Sequence, residues 1–259
     1  MTVQVLVATI DQQDHSLLER MNIQTDAIVG NQCDRNEVET FAYHDHVIKW
    51  LSFCERGVGL NRNNALMRAD ADIVMFADDD MRLVDSYETI VQQAFRKIPQ
   101  ADVIVFDLLY ADKPRPPIRK IQRLSARSCM RFGTARISAR LSSLRINGIS
   151  FNLCFGGGAR FSSGEDSIFL RDCLRHNLKI YSYPVFVASL NGRESTWFKG
   201  YTDTYFFDKG VTFSVLFPRM GRWFAFAHCL KKRRRYARYG WFRAYRQMKS
   251  GIRFRKTQL

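Results

Sequence analysis

The chain has 259 residues, 46% of them hydrophobic and 13% aromatic, enough apolar material for one large domain or two small ones and far too much for wholesale disorder. Forty Lys and Arg against 25 Asp and Glu give a net charge of +15, but the stretch from Pro218 to Leu259 holds fourteen Lys or Arg and no acid, which leaves residues 1–217 with 26 bases and 25 acids. A second basic block, Asp112 to Arg145, holds ten Lys or Arg and one acid, so the remaining body is acidic, a distribution that argues against a uniformly basic nucleic-acid binder.

In chain order, Val3 to Ile10 is an apolar strand pattern that begins without a basic leader or a small-residue cleavage site, so no secretion signal is expected. Ser16 to Met21 reads as a short helix, Asp26 to Gly30 as a second strand, Val58 to Arg68 as a helix and Asp72 to Ala77 as a third strand. Asp85 to Lys97 carries Tyr87, Ile90, Val91, Ala94 and Phe95 at helical spacing and is closed by Pro99, after which Ala101 to Tyr110 returns to strand. Strands and helices alternating in this way predict an α/β fold, a mostly parallel sheet with helices on its faces.

Lys113-Pro-Arg-Pro-Pro117 breaks the alternation, and residues 112–145 read as a basic, mobile excursion, too polar on too many sides to be core. Order resumes with a strand over Ile149 to Phe155, a turn at Gly156-Gly-Gly158, a helix from Glu165 to His176 and a strand from Lys179 to Leu190, and the body is expected to end near Phe217. Beyond it Met220, Trp223, Phe224 and Leu230, then Tyr236, Tyr239, Phe242, Tyr245, Met248 and Ile252, recur three or four positions apart among the cations, with interruptions at Gly240 and Gly251. That is the pattern of an interfacial amphipathic helix, and residues 218–259 are expected to form a basic tail that docks on an anionic membrane surface. The alternative is a pair of helices packed on the body with a wet basic face. No apolar run reaches the ~20 residues of a membrane span. The six cysteines form no C-x-x-C pair, which points away from a zinc ribbon or a disulfide framework and towards reduced thiols in a cytoplasmic protein, peripheral on the inner face of the cell membrane.

Three segments carry candidate chemistry. Ile73-Val-Met-Phe-Ala-Asp-Asp-Asp80 brings three carboxylates to the end of an apolar strand, the edge where open α/β sheets bind ligands. On an extended chain Asp78 and Asp80 would face one ligand and Asp79 the other way; a Mg2+ or Mn2+ ion held by one or two carboxylates and a nucleotide's phosphates is the economical occupant. Gly57-Val-Gly-Leu-Asn-Arg-Asn-Asn-Ala65 opens a helix with a guanidinium beside its N-terminus, suited to a diphosphate or to nothing more than a capped start. Gly156-Gly-Gly-Ala-Arg-Phe-Ser-Ser-Gly-Glu-Asp166 is a glycine-rich bend running into an acidic helix N-terminus, where Asp166 serves as a general base or Ser163 or Glu165 simply caps the helix. His44-Asp-His46 lacks a third ligand nearby, and Trp197 and Tyr201 are either sugar-stacking or packing aromatics.

The order of these segments, a Val5-Leu-Val-Ala-Thr9 strand, the Arg62-Asn63 helix start, the Asp78-x-Asp80 strand end and Gly164-Glu-Asp166, resembles glycosyltransferase family 2, the inverting, sugar-nucleotide-dependent enzymes of the GT-A fold, over roughly residues 3 to 210. Glu194 to Tyr201 and Phe206 to Gly210 look like acceptor-side segments of bacterial polysaccharide glycosyltransferases. The resemblance implies a nucleotide-diphosphate sugar donor, a UDP-sugar, a divalent metal and a glycan or lipid-linked hydroxyl acceptor. It assigns Asp166 as the catalytic base, Asp80 and Asp78 to the metal, and Thr9, Asn31, Arg62, Asp78 and Asp79 to the donor nucleotide. Gly157, Gly158, Glu165 and Trp197 fall on the acceptor side. Asn31 stands where relatives have a base-reading Asp, and where they place a metal-binding His after the last body strand this sequence offers only Asn191 or Glu194. Two other readings stand beside it. A sugar nucleotidyltransferase would need a basic Gly-rich loop after the first strand, which Asp11-Gln-Gln-Asp14 is not, and a nucleic-acid binder would use the tail's interleaved Arg and aromatic residues.

Overall fold

The computed structural model describes residues 1–110, 116–190 and 200–258, without the side chains of 256–258. In order they form β1 (Val3–Ile10), α1 (Leu17–Arg20), β2 (Ala27–Gln32), β3 (Glu37–Tyr43), β4 (His46–Phe53), α2 (Val58–Arg68), β5 (Ile73–Asp78), β6 (Met81–Leu83), α3 (Tyr87–Lys97), β7 (Val103–Tyr110) and β8 (Gln122–Arg123). Then follow α4 (Ala126–Cys129), β9 (Ile137–Arg140), α5 (Leu141–Ile146), α6 (Glu165–Arg175), β10 (Ile180–Leu190), α7 (Asp203–Leu216), α8 (Gly221–Lys231) and α9 (Trp241–Gln258).

The strands make one sheet in the order β3-β4-β2-β1-β5-β9-β7-β10-β6, with β8 paired to β10. Strands β1, β2, β4, β5, β7 and β10 point the same way, and β3, β6, β8 and β9 run against them. Because side chains alternate across a strand, Val3, Val5 and Val7 of β1 join α1 and α3 on one face, while Leu6 joins α2, α5 and α6 on the other. Both faces are covered, which is why β1 and β2 are apolar along nearly their whole length instead of alternating. Among the described residues no helix is long and apolar enough to cross a membrane.

Three expectations change. Residues 116–145 are built into the fold: β9 lies between β5 and β7, with Val74 opposite Ala139 on one side and Ile104 opposite Ser138 on the other. The run Ile137-Ser-Ala139 is small and apolar enough for the sheet interior, and the flanking cations are consumed by protein acceptors. Arg136 pairs with buried Asp107 at 3.0 Å, and Arg140 Nε donates to the Ala101 carbonyl at 2.9 Å.

The strand expected over Ile149 to Phe155 does not form. Ile149, Phe151 and Phe155 are buried but Leu153 is exposed, which breaks the alternation, and Asn63 of α2 replaces a neighbouring strand, donating to the Phe151 carbonyl at 2.9 Å and accepting from its amide at 2.8 Å.

The boundary at Phe217 is also displaced. Phe206 of α7, Ala225 and Cys229 of α8, Tyr236, and Ala244, Met248 and Ile252 of α9 share a core of their own, so α7, α8 and α9 are one helical unit that begins before residue 217. The two long helices meet backbone to backbone: a Cβ on Gly251 would collide with the Phe207 carbonyl and one on Gly210 with that of Met248. Half of the tail's periodic apolar residues are therefore the inside of a bundle, and Gly251 is a packing residue within α9 and no interruption. The β3–β4 hairpin, turning at His44-Asp45, was not legible as a pair of strands because β3 is an edge strand with exposed Glu37 and Val38.

Candidate active site

The parallel strands β2, β1 and β5 end side by side, bringing Gln32, Thr9, Ile10 and Asp78 to one edge. There β5 gives way to a turn at Asp79-Asp80 before β6, so the extended-chain argument stops at Asp78. Asp79, expected to face elsewhere, turns back to β1 and accepts a 2.7 Å hydrogen bond from the buried Thr9 hydroxyl. Asp78 accepts one from Arg62 Nη2, also 2.7 Å.

Arg62 is the hub of the site. It projects from the second turn of α2, is 5% exposed, and lies 5.4 Å from the centre of the Phe151 ring. Besides Asp78, its Nη1 lies 3.6 Å from Glu165 and 3.5 Å from Asp166, at the first turn of α6. One guanidinium thus ties the carboxylates of the β5 edge to those of a helix nearly ninety positions further along the chain. Burial opposes its charge, but Asp78, Asp166 and Glu165 together outweigh that and raise its pKa. Burial in turn lifts Glu165 to about 7, with repulsion from Asp166 adding and Arg62 opposing. Asp166 is raised by the same desolvation against the pull of Arg62 and of a hydrogen bond from Thr134. Its side chain keeps 31% of its surface open, so the carboxyl is crowded by protein yet reachable. Thr134 Oγ1 donates to Asp166 Oδ1.

The helix ends around this hub are held by neighbouring backbone. At the start of α2, Gly57 N–H donates to Gln32 Oε1 at 2.8 Å and Val58 N–H to the Gly157 carbonyl at 2.9 Å. Gly158 has φ +78° and a Cβ there would meet the Gly57 nitrogen at 2.9 Å, so the glycine-rich bend closes directly on that helix start. On α7, Asp208 accepts from the Ser162 amide at 2.9 Å and its hydroxyl at 2.8 Å, and Thr212 Oγ1 donates to the Ser163 carbonyl at 3.1 Å. These bonds hold the loop immediately before Glu165 and Asp166.

The site residues read from the sequence fare differently. Asp78, Asp79, Arg62, Glu165 and Asp166 are brought together, with Thr9 behind Asp79. Arg62 stands among carboxylates, and at the start of α2 the Gly57 and Val58 amides already have partners. Asn31 does not present its amide to a base: it is fully buried, its Oδ1 accepts from the Gln12 amide and its Nδ2 donates to the Gln12 carbonyl, both at 3.0 Å, so it fixes the loop after β1. Gly157 and Gly158 pack against α2. Tyr201 stacks on Phe206 and meets Tyr205 and Tyr236 edge-on, partly buried against the core of the helical bundle. Trp197, Asn191 and Glu194 lie outside the described residues. Thr134, Gln32 and Asp208 were missed. Gln32 and Asp208 sit in segments already singled out, whereas Thr134 lies in the basic block and carried no signal.

No group of three His, Cys, Asp or Glu side chains among the described residues is arranged to hold an ion by itself. Asp78, which ends β5 and is paired with Arg62, and Asp80, in the turn after it, are oxygen donors of the type that Mg2+ or Mn2+ takes when a diphosphate supplies the others.

With this geometry in hand, comparison with solved structures finds S. aureus TarS. A complex of its residues 1–349 with UDP-GlcNAc matches with a TM-score of 0.59 at 17% identity, covering 83% of this chain and 66% of that one. The same portion in complex with UDP gives 0.60 at 15% identity over 100% and 92%. A further TarS structure gives 0.57 at 15%, and this chain spans 39% of its length. No family model and no curated protein matches the sequence. At such identities the likeness shows the fold, a GT-A-like α/β sheet with flanking helices.

Proposed function

We propose that the chain is a glycosyltransferase of the family 2 type, moving a sugar with inversion from a UDP-sugar to a hydroxyl of a glycan or lipid-linked acceptor in cell-surface polysaccharide synthesis. The observation that carries this reading is the Arg62 hub, which bridges Asp78 at the end of β5 and Asp166 at the start of α6. TarS, of like fold, is seen in complex with UDP and with UDP-GlcNAc, which supports a uridine nucleotide donor.

In this reading the nucleotide lies along the β2-β1-β5 edge, by Thr9, Asp78 and Asp79. The acceptor enters over the start of α6, with Glu165 on its side. Asp166 takes the proton of the acceptor hydroxyl as its oxygen bonds to the anomeric carbon from the face opposite the nucleotide. The bond from that carbon to the diphosphate breaks, its electron pair leaving with the phosphate, and the anomeric configuration inverts. Asp166 is suited to the task because burial raises its basicity while Thr134 and Arg62 fix its direction. Asp80 and Asp78 would hold Mg2+ or Mn2+, which when bound neutralises charge on the diphosphate.

Asp166→Asn is expected to lower sugar transfer on the order of a thousandfold while calorimetric UDP binding is retained. Full turnover by this variant would remove Asp166 from the base role. The donor reading fails if no UDP-, GDP- or dTDP-sugar raises the melting temperature with or without Mn2+.

A further inference from the structure

The apolar residues of the last helices have two fates. Tyr236, Met248 and Ile252 are buried inside the bundle. Trp223, Phe226 and Leu230 of α8 remain 72%, 39% and 43% exposed. Spaced by three and four positions, they form one stripe along the helix, opposite the buried Ala225 and Cys229 side. Phe242, 64% exposed at the start of α9, lies near the same surface, since Phe226 packs edge-on against Trp241 and Tyr245. Between Arg222, Trp223, Phe226 and Tyr245 is a hollow of about 400 Å3. Lys231 ends α8 and Arg233, Arg234, Arg235 and Arg238 follow it, all exposed, on a segment without a single carboxylate.

An apolar stripe bordered by unneutralised cations is costly in water and matches one environment well, an interface in which anionic headgroups overlie acyl chains. Leu230 has no π face for a nucleobase, so the stripe suits lipid better than RNA. We propose that α8, its following basic turn and the start of α9 dock the folded protein on an anionic bilayer, with Trp223, Phe226 and Leu230 entering the acyl boundary. This differs from an anchor of flexible chain. Since α7 grips Ser162 and Ser163 beside the candidate base, docking through the bundle sets the attitude of the site relative to the membrane.

The inference stands apart from the donor reading and is tested on the full chain by sedimentation with phosphatidylcholine vesicles, with and without phosphatidylglycerol. Binding is expected only with the anionic lipid. Replacing Arg233, Arg234 and Arg235 by Glu together should weaken it on the order of a hundredfold or more, and Trp223→Ser with Leu230→Ser about tenfold. Unchanged UDP binding and circular dichroism would show that these variants fold. The proposal is overturned if the wild type ignores anionic vesicles, if the apolar pair leaves binding unchanged, or if the face instead closes a dimer or prefers RNA. UDP binding reports separately on the transferase reading.

Discussion

The two basic segments of this protein are alike in composition and differ in how they join the fold, the first through a strand inside the sheet and the second through a helical bundle. Between residues 116 and 145 the cations that flank β9 and close α5 are taken up by protein acceptors, while Arg119, Lys120, Arg123, Arg127 and Arg131 stay exposed. Arg136 is buried on Asp107, Arg140 donates to the Ala101 and Pro99 carbonyls, and Arg145 donates to the Ala69 carbonyl. From Pro218 onwards most cations stay at the surface, and the pair between Arg243 and Asp203 borrows its acid from α7. The difference lies in what surrounds each segment. The first threads between two strands whose ends supply a buried carboxylate and free carbonyls, so long cationic side chains can be satisfied there. The second wraps helices around one another, and helices satisfy most of their own carbonyls, so few acceptors remain for its cations, the Ser214 carbonyl that takes Arg255 Nη1 among them. Basic composition alone therefore says little about whether a segment is detachable.

The sharpest way to break this comparison is Arg136→Met. Removing one member of the buried pair leaves Asp107 charged in the core, with only the Leu108 and Ile118 amides as donors, and should cost about 3–5 kcal/mol in urea unfolding. Arg234→Met, the same exchange in the second segment, should stay within about 0.5 kcal/mol. Equal effects at the two positions would erase the distinction.

Next in size is Gly251→Ala. If α7 to α9 are a bundle integral to the fold, the added methyl must force the two helices apart and lower stability by about 1–3 kcal/mol. If residues 218–259 were a detachable tail, the helix-favouring alanine would be neutral or stabilising.

The smallest effect tests whether the first segment serves the site. Thr134→Val removes a hydrogen bond that favours the ionised form of Asp166, so the pKa of that carboxyl rises further. Transfer by the variant should fall about tenfold, with the acid limb of the pH profile displaced to higher pH. The sign follows because the base acts only when deprotonated: a higher pKa means that activity is lost sooner as the pH falls. A uniform loss without displacement would make Thr134 a packing residue.

Much of the framework was legible because local pattern and global fold agree in it. The helix over Val58 to Arg68 and the strands ending at Ile10, Asp78 and Leu190 follow from apolar runs and periodicity, and the acidic strand end and the Gly-Glu-Asp helix start were both found as motifs. Illegible parts share a different cause. Nothing local marks β9 as a sheet strand, because its pairing partners are some sixty residues upstream and thirty residues distant in the chain. Asn31 looked like an available amide because the loop that consumes it, at Gln12, is near only in space. Nor could spacing reveal that the Gly57 and Val58 amides are occupied by Gln32 and Gly157.

Sequence by itself determined the α/β alternation, the carboxylates at the strand end, the acidic start of α6 and the separation of charge along the chain, since these rest on residue type and short-range period. Only the tertiary structure decided that Arg62 gathers Asp78, Glu165 and Asp166, that Thr134 reaches the candidate base, and which half of the tail's apolar residues faces out. Those outcomes depend on which burials and which polar partners become available together, and a chain acquires those only when distant segments close on one another.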